Sequence, residues 1–318
     1  MKAATSPRTR GETMFRFEKE QKVVEVGGVK LGGQPGELPT VLTGTIFYID
    51  HKIVSDEKKG DFDKEKAESL IKKMEESSDQ TTNPFVLDVV GTTEEAFRKY
   101  IDFVSDVTDA PFQIDTISPR VRMAAVKWVH EVGLQGRAIN NSIYKGVKDE
   151  ELENLKTSKI RASIVLCDNP EDESANGRLE VLREILPMAD KAGIEAALID
   201  TAIPSWGIGV GAGSRAIYLI KERFGDRGAV GTGIGNVTDT LGWVKGNFPK
   251  EIRRACDAAQ SAILPILGAD WIMFGPIELA EYIFPTVAMI DTYVLTATAE
   301  LGIKPLIEGV HPLFKTIG

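Results

Sequence analysis

Residues 161–168 read RASIVLCD, and residues 271–277 read WIMFGPI. Both segments are apolar almost throughout instead of alternating, which is typical of parallel strands covered on both faces. Short apolar segments that end in Asp, Asn, Gly or Thr recur eight times along the chain. The sequence therefore predicts strands at 40–48, 84–90, 111–116, 137–143, 159–168, 196–203, 228–236 and 271–277.

Most stretches between these strands have helical spacing and a charged face. TEEAFRKYIDFVSDV (93–107) begins at Thr and GRLEVLREILPMADKAG (177–193) ends at Gly, residues that favour helix starts and stops. Strand and helix repeated eight times predict a parallel, helix-covered sheet, and eight units favour closure into a barrel. The expected fold is α/β, a (β/α)8 TIM barrel forming a single domain over residues 14–318.

Two segments outside the repeat predict extensions of the barrel. VEVGGVKLGGQPGELP (24–39) alternates apolar and small residues with glycine turns, so we expect a hairpin that caps the barrel floor. From about residue 279 the sequence predicts one long final helix and a tail that could serve self-association, a partner or packing. Residues 1–13 are polar and basic with no hydrophobic period, which predicts a disordered N-terminal extension.

Composition argues against several classes of function. The 318 residues carry 38 Lys and Arg against 47 Asp and Glu, a net charge of −9 that disfavours a nucleic-acid partner. No apolar run approaches the roughly 18 to 20 residues that span a bilayer, and no apolar signal core opens the chain. Cys167 and Cys256 lack the ligand spacing of a zinc site. We expect a cytoplasmic protein with no metal site.

The strand ends carry the candidate functional residues, because the loops after barrel strands converge over the barrel mouth. Carboxylates and carboxamides dominate there, which suits a neutral heterocycle with amino and lactam groups better than a phosphate. The missing Lys argues against Schiff-base chemistry, and the missing His/Ser pair argues against acyl transfer. The strand-end residues are Asp88, Asp115, Asn140, Asn141, Asp168, Asn169, Asp200, Asn236 and Glu278.

A structural role competes with the functional one at each of these positions. Asp and Asn also close strands and cap the next helix, so both roles stay open for Asp88 and Asp168, while Asn169 before Pro170 is interpreted as a turn residue. Four others lie inside apolar runs, where an unpaired polar group costs roughly 1–3 kcal/mol unless a ligand or neighbour satisfies it. These stronger candidates are Asp115, Asn140, Asp200 and Asn236.

Neither the histidines nor the glycine motif is interpreted as a metal or nucleotide site. His51 follows the first barrel strand and could reach the mouth, but a solvated loop histidine is favoured; His130 and His311 offer no paired ligand geometry. The glycines of GTGIGN (231–236) open no helix in a GxGxxG pattern, so we assign them to close approach of a ligand.

The order IDT (114–116), INNS (139–142), LIDTAI (198–203) and GTGIGN resembles the pterin-dependent methyltransferases among the dihydropteroate synthase-like barrels. A closer resemblance, to the H subunit of the archaeal tetrahydromethanopterin S-methyltransferase, runs from Met14 to the end. Its blocks are GGVKLGGQPGELPTVLTGTIFYIDHKIVSDEKKGDFDKEKAESLI, GADWIMFGPIELAEYIFPTVAMIDT and HPLFK.

The resemblance implies a set of pterin contacts. Asp115, Asn140 and Asp200 would hold the amino and lactam edge of the pterin, and Asn236 would lie near its methyl-bearing nitrogen. Asp88 and Ser142 join the implied pterin contacts, and Asn236, Asp115 and Asp200 are the implied catalytic residues. Strand alternation lets only one of Asn140 and Asn141 face inward, and Asn140 is favoured.

The implied reaction moves a methyl group between N5 of tetrahydromethanopterin, or a close relative, and the cobalt of a corrinoid carried on a partner subunit. N5 must gain a proton or a hydrogen bond as its C–N bond breaks, and Asn236 with water or a carboxylate would donate it. A homodimer and attachment to a membrane-associated complex are also expected.

Three rival functions stay open. The first is a methylcorrinoid protein:tetrahydrofolate methyltransferase of bacterial type, with much the same barrel chemistry. The second is pterin condensation as in dihydropteroate synthase, disfavoured because no Lys or Ser-x-Arg cluster follows the late strands. The third is a non-catalytic subunit that binds pterin or docks a corrinoid protein.

Overall fold

The structure is a computed structural model that describes residues 14–203 and 209–315. Its strands are β1 (Val23–Val26), β2 (Val29–Gly32), β3 (Val41–Ile46), β4 (Val54–Asp56), β5 (Asp61–Phe62), β6 (Phe85–Val90), β7 (Phe112–Asp115), β8 (Ala138–Tyr144), β9 (Ala162–Leu166), β10 (Ala196–Asp200), β11 (Ala229–Gly233) and β12 (Trp271–Pro276). Its α-helices are α1 (Lys64–Thr81), α2 (Glu94–Val107), α3 (Pro119–Glu131), α4 (Asp149–Thr157), α5 (Ala175–Ala192), α6 (Val210–Phe224), α7 (Val237–Thr240), α8 (Gly242–Lys245), α9 (Lys250–Ile266), α10 (Ala280–Ala299) and α11 (Pro312–Lys315).

Eight parallel strands close into a barrel. Going around it, the order is β3, β6, β7, β8, β9, β10, β11 and β12, and β12 pairs again with β3. Each predicted barrel strand is present, so the predicted (β/α)8 fold is confirmed. The predicted extension at residues 1–13 lies outside the described residues.

Burial on both faces explains why the strands are apolar throughout. In β9, Ile164 points into the barrel floor while Val165 packs against the surrounding helices. The helices begin and end where local chemistry favours it. Thr93 caps α2 by accepting from the Ala96 N–H, and Gly193 ends α5 with a positive φ of 77°.

The two extensions take the predicted places. The antiparallel hairpin of β1 and β2 lays Val24, Val26 and Leu31 against the lower inward residues of the barrel, so it caps the floor. The C-terminal helix α10 packs beside α9 and α1. Within residues 14–203 and 209–315, no helix combines the length and hydrophobicity that crossing a membrane requires.

Candidate active site

A cavity of about 770 Å³ opens at the carboxyl ends of the barrel strands. Its volume falls within the roughly 300–1,000 Å³ common for small-molecule sites. Polar side chains from six different strand ends or following loops reach it, which agrees with the mouth of a parallel barrel as the place of chemistry. They are Tyr48, Asp88, Asp115, Asp168, Asp200 and Asn236.

Asp88 is buried in the wall of this cavity. Thr45 Oγ1 donates to Asp88 Oδ2 at 2.9 Å, whereas Oδ1 has no hydrogen-bond partner among the described residues. Burial raises the pKa of Asp88 well above its usual range, and the nearby Asp115 carboxyl raises it further. The position therefore favours a neutral carboxylic acid with one oxygen available to a ligand.

Asp115 and Asp200 face the cavity from β7 and β10. Burial raises the pKa of Asp115 to about 6, although the Arg122 guanidinium opposes this shift. Burial also raises the pKa of Asp200 to about 6, against a hydrogen bond of 2.7 Å that the Ala202 N–H donates to its Oδ1. Both groups thus remain able to act as carboxylates near neutral pH.

The favoured orientation of Asn140 is wrong. Its Nδ2 donates to Ser163 Oγ at 2.9 Å, and its side chain lies in a small cleft between β8 and helices α3 and α4. Asn141 instead pairs in register with the inward Asp115, and its Nδ2 donates to Gln113 Oε1 at 3.1 Å. Asn141 is therefore the inward member of the pair.

Ser142 also lies away from the barrel mouth. Its side chain lines the same cleft as Asn140, beside Arg122 and Leu155 on the neighbouring helices. The expected pterin contact from Ser142 is thus not supported by its position. A register shift between Asn140 and Ile143 interrupts the strand alternation of β8 here, so it is the lining of the cleft that places Ser142.

Asn236 follows β11 at the start of α7 and lines the cavity with an exposed side chain. Within the described ranges, its amide group makes no side-chain hydrogen bond, so both its donor and its acceptor are available.

The glycines of the same motif serve backbone packing more than ligand approach. A Cβ on Gly231 would collide with the Trp271 carbonyl, and one on Gly235 would collide with Gly275. Only Gly233 and Gly235 of the three line the cavity. Ligand approach therefore does not explain the whole motif, because close packing against β12 already requires glycine at 231 and 235.

Tyr48, His51 and Glu278 form a cluster beside the cavity that could not be predicted from the sequence, although His51 and Glu278 were placed near the mouth. His51 is buried, contrary to the prediction of a solvated loop residue, because its ring stacks on Tyr48 and its two nitrogens meet the Phe47 N–H and Glu278. The rings of Tyr48 and His51 stack at 4.1 Å, and His51 Nε2 lies 3.1 Å from Glu278 Oε1. The available signal was that both partners follow adjacent barrel strands, β3 and β12.

Arg178 was also missed. It is the buried cation of α5 that lines the cavity, and its guanidinium donates to the backbone carbonyls of Thr201, Ala202 and Glu173. These hydrogen bonds hold the backbone that follows Asp200 in place.

Asn169 is the predicted turn residue, since its Oδ1 accepts from the N–H groups of Glu171 and Asp172.

Solved structures define the class of fold. A Yersinia pestis dihydropteroate synthase with a pterin–sulfa conjugate superposes with a TM-score of 0.59 at 13% identity, covering 86% of this chain and 99% of that chain. The Coxiella burnetii dihydropteroate synthase in complex with pteroic acid gives a TM-score of 0.59 at 17% identity, with the same coverage. The chain therefore has the dihydropteroate synthase-like barrel.

Sequence comparison narrows this class to one family. Residues 19–306 match the family described as tetrahydromethanopterin S-methyltransferase MtrH subunit. The H subunit of that enzyme from Methanothermobacter thermautotrophicus is 43% identical over 315 residues, covering 96% of this chain and 100% of the relative. A Methanosarcina barkeri protein, named as the H subunit of the putative methyltransferase mtx, is 41% identical, covering 94% and 99%.

The chain belongs to the MtrH family of tetrahydromethanopterin S-methyltransferase subunits and is a methyltransferase. The resemblance seen in its sequence blocks is thereby confirmed.

Proposed function

We propose that this chain moves a methyl group between N5 of tetrahydromethanopterin, or a close relative, and the cobalt of a corrinoid on a partner subunit. The observation that carries the proposal is the mouth cavity, where Asp88, Asp115 and Asp200 converge with Asn236. A pterin is expected because a protein of this fold binds pteroic acid and the relatives are named for tetrahydromethanopterin. The polar side chains of the cavity support this expectation.

The inward carboxyls suit the edge of a pterin. Its amino and lactam N–H groups are donors, and a carboxylate can accept two of them side by side. Asp115 and Asp200 supply such acceptors, and Asn141 takes the role expected of Asn140 because its amide faces the barrel interior. Asp88, held as an acid, supplies a donor for a ring oxygen or nitrogen.

The reaction requires positive charge or a hydrogen bond on N5, because a neutral tertiary amine is a poor leaving group. Acidic side chains outnumber the cation Arg178 around the cavity, so the site favours a protonated nitrogen over a neutral one. Asn236 adds a free amide that can donate to the nitrogen as charge leaves it.

The methyl acceptor belongs to the partner. A corrinoid supplies a nucleophilic cobalt, and this chain contributes the bound and oriented methyl donor. Exposed apolar side chains in the segments after β3, β7 and β11, the last of which includes α8, offer a surface for such a partner around the mouth, and they are Ile49, Ile117, Trp243 and Phe248.

Self-association and a larger complex are part of the proposal. Helices α9 and α10 are neighbours, and each exposes apolar residues spaced along one face. These residues are Ile252, Ile263, Ile266, Tyr282, Met289 and Tyr293. An uncovered apolar surface of this kind suits a twofold contact between two copies. The subunit names of the relatives favour a multi-subunit assembly in addition.

Methyl transfer with purified components tests the function. The chain would be mixed with a corrinoid protein and either methyl-tetrahydromethanopterin or methyl-tetrahydrofolate, and cobalt methylation would be followed spectroscopically. We expect transfer from the methanopterin substrate. Exclusive use of tetrahydrofolate would favour the bacterial-type alternative, and pterin binding without any transfer would favour a non-catalytic subunit.

A further inference from the structure

The turn after β3 is held in one conformation by packing on both sides. Phe47 has a positive φ of 62° and stacks on Tyr100 with ring centroids 4.1 Å apart. The His51 N–H donates to the Tyr48 carbonyl at 3.0 Å, which closes the turn. Tyr48 is therefore pressed against the His51 ring, with its side chain in the cavity wall.

The hydrogen bonds fix the proton positions on His51. The Phe47 N–H donates to His51 Nδ1 at 3.1 Å, so Nδ1 carries no hydrogen. The hydrogen of the neutral ring is then on Nε2, which donates to Glu278 Oε1 at 3.1 Å. His51 consequently acts as a donor that holds the Glu278 carboxylate.

Glu278 in turn directs the Tyr48 hydroxyl. Burial acts to raise the pKa of Glu278, but the interaction with His51, a backbone hydrogen bond and the hydrogen bond from Tyr48 together outweigh it, and the pKa is lowered. The Tyr48 oxygen lies 3.4 Å from both Glu278 oxygens, and a carboxylate can only accept. With its proton directed to Glu278, the Tyr48 hydroxyl has its lone pairs free for a ligand in the cavity.

We propose that the Tyr48 hydroxyl oxygen accepts a hydrogen bond from the protonated methyl-bearing nitrogen of the pterin, with Glu278 and His51 as positioning residues. This inference rests on the proposed function. Its location agrees with the order around the barrel, since β12 adjoins β11, after which Asn236 was expected near that nitrogen, and β3 follows β12. Asp115, proposed for the pterin edge, ends β7, which lies opposite β11 in the barrel.

The chemistry of the step balances with this acceptor. The bond between N5 and the methyl carbon breaks, and its electron pair stays on nitrogen. The methyl carbon bonds to the low-valent cobalt nucleophile, which supplies the electron pair of the new bond. The nitrogen enters as a cation carrying a proton and leaves as a neutral N–H. An acceptor that stabilises the cation raises the reactive fraction of substrate at neutral pH.

Titratable and charged groups from neighbouring elements also face this part of the cavity. Besides Glu278 and the neutral His51, Asp239 of α7 favours the cation, Asp88 of β6 is held as a neutral acid, and Arg178 in the wall formed by α5 opposes the cation. Burial and then Glu278 raise the pKa of Tyr48, so the hydroxyl keeps its proton across the working range.

The test is the pH dependence of methyl transfer by the full chain with a corrinoid protein. Transfer by the wild type should fall as alkaline pH removes the N5 proton. Tyr48→Phe should reduce kcat/KM at pH 7 by about ten- to hundredfold, typical of losing a hydrogen bond to a charged group, and move the alkaline fall to lower pH. Glu278→Gln should act in the same direction.

Two controls separate this inference from the proposed function. Tyr100→Phe, which removes a buried hydroxyl with no partner among the described residues, should leave the pH profile unchanged. Oxidised pterin, which cannot carry a proton on N5 at these pH values, should bind Tyr48→Phe as tightly as wild type. Failure of the wild type to bind any pterin would defeat the proposed function itself.

A wild-type rate and pH profile for Tyr48→Phe would overturn the inference, as would an equal loss of oxidised pterin binding, which would indicate a ring contact only. His51→Phe keeps an aromatic ring against Tyr48 but loses both hydrogen bonds. It should give a smaller fall of the same kind. If this buried variant does not fold, Tyr48→Phe alone decides.

Discussion

Asp88, Asp115 and Asp200 carry the same functional group, yet their surroundings give them different chemistry. Asp88 has a buried oxygen without a partner among the described residues and a pKa raised well above its usual range, so we expect it to donate as an acid. Asp200 has a pKa of about 6 and accepts a hydrogen bond from the Ala202 N–H, so we expect it to be a carboxylate that accepts a hydrogen bond from the ligand. Environment, and not residue type, decides each role.

Asn236→Ala tests the amide next to the reacting nitrogen. We expect methyl transfer to fall about tenfold to a thousandfold while pterin affinity changes little, because the hydrogen bond strengthens only as charge leaves N5. Single-turnover rates and calorimetric pterin binding measure the two effects separately. Turnover equal to wild type would exclude the role.

Asn140 and Asn141 provide a matched pair of variants in adjacent positions. Asn141→Ala should lower pterin affinity with little loss of stability, since its amide faces the barrel interior. Asn140→Ala should leave affinity nearly unchanged but lower the free energy of unfolding by roughly 1–3 kcal/mol, because the buried Ser163 oxygen loses the amide that donates to it and keeps only its backbone carbonyl acceptors. Calorimetry and urea unfolding would distinguish them, and the reverse pattern would contradict the assignment.

Among the elements, the helix α10 is joined to the barrel by hydrogen bonds to one side chain, Asp291. Asp291 of α10 accepts from the Thr40 N–H at 2.9 Å, from Thr40 Oγ1 at 2.7 Å and from Asn83 Nδ2 at 2.7 Å. These donors precede β3 and β6, so the contact joins α10 to two strand starts. Burial raises the pKa of Asp291 to about 6.

Asp291→Ala should lower the free energy of unfolding by roughly 3 kcal/mol or more, since buried donors lose their acceptor. It should also change the pH dependence. A carboxyl whose folded pKa lies above its unfolded pKa of about 4 binds more protons in the folded state, so its contribution to stability falls as pH rises from about 4 to about 6. Urea unfolding at several pH values should show a weaker fall in the variant than in wild type. An unchanged pH slope would contradict this account.

At the scale of the whole molecule, the barrel separates its tasks between two regions. The mouth holds the cavity and a rim with exposed Ile117 and Trp243, while α9 and α10 present an exposed apolar surface elsewhere. A methyl donor site and a self-association surface in separate places would leave the mouth open to a corrinoid-bearing partner in a dimer.

Ile263→Glu combined with Met289→Glu tests the self-association surface. Charges buried at a twofold contact are costly, so sedimentation should shift from dimer to monomer while pterin binding persists. Val132→Glu, an exposed apolar position on the C-terminal end of α3, is the matched control and should stay dimeric. If the wild-type chain sediments as a monomer at micromolar concentration, the proposed homodimer is wrong.

The barrel and most of the strand-end carboxyls could be predicted from local sequence patterns. Apolar runs such as 161–168 predict strands buried on both faces, because that pattern reflects local burial, and parallel topology then brings the strand ends together. Asp88, Asp115 and Asp200 could be found in this way without any coordinates.

Tertiary structure alone decided which neighbours those side chains meet. The sequence INNS does not show which side chains of β8 point into the barrel. Only the pairing of Asn141 with the inward Asp115 selects Asn141 over Asn140. His51 becomes buried through a partner 227 residues away, Glu278, and no local pattern records such a contact. Long-range packing sets the orientation and the protonation of these groups, because both depend on what the rest of the chain places beside them.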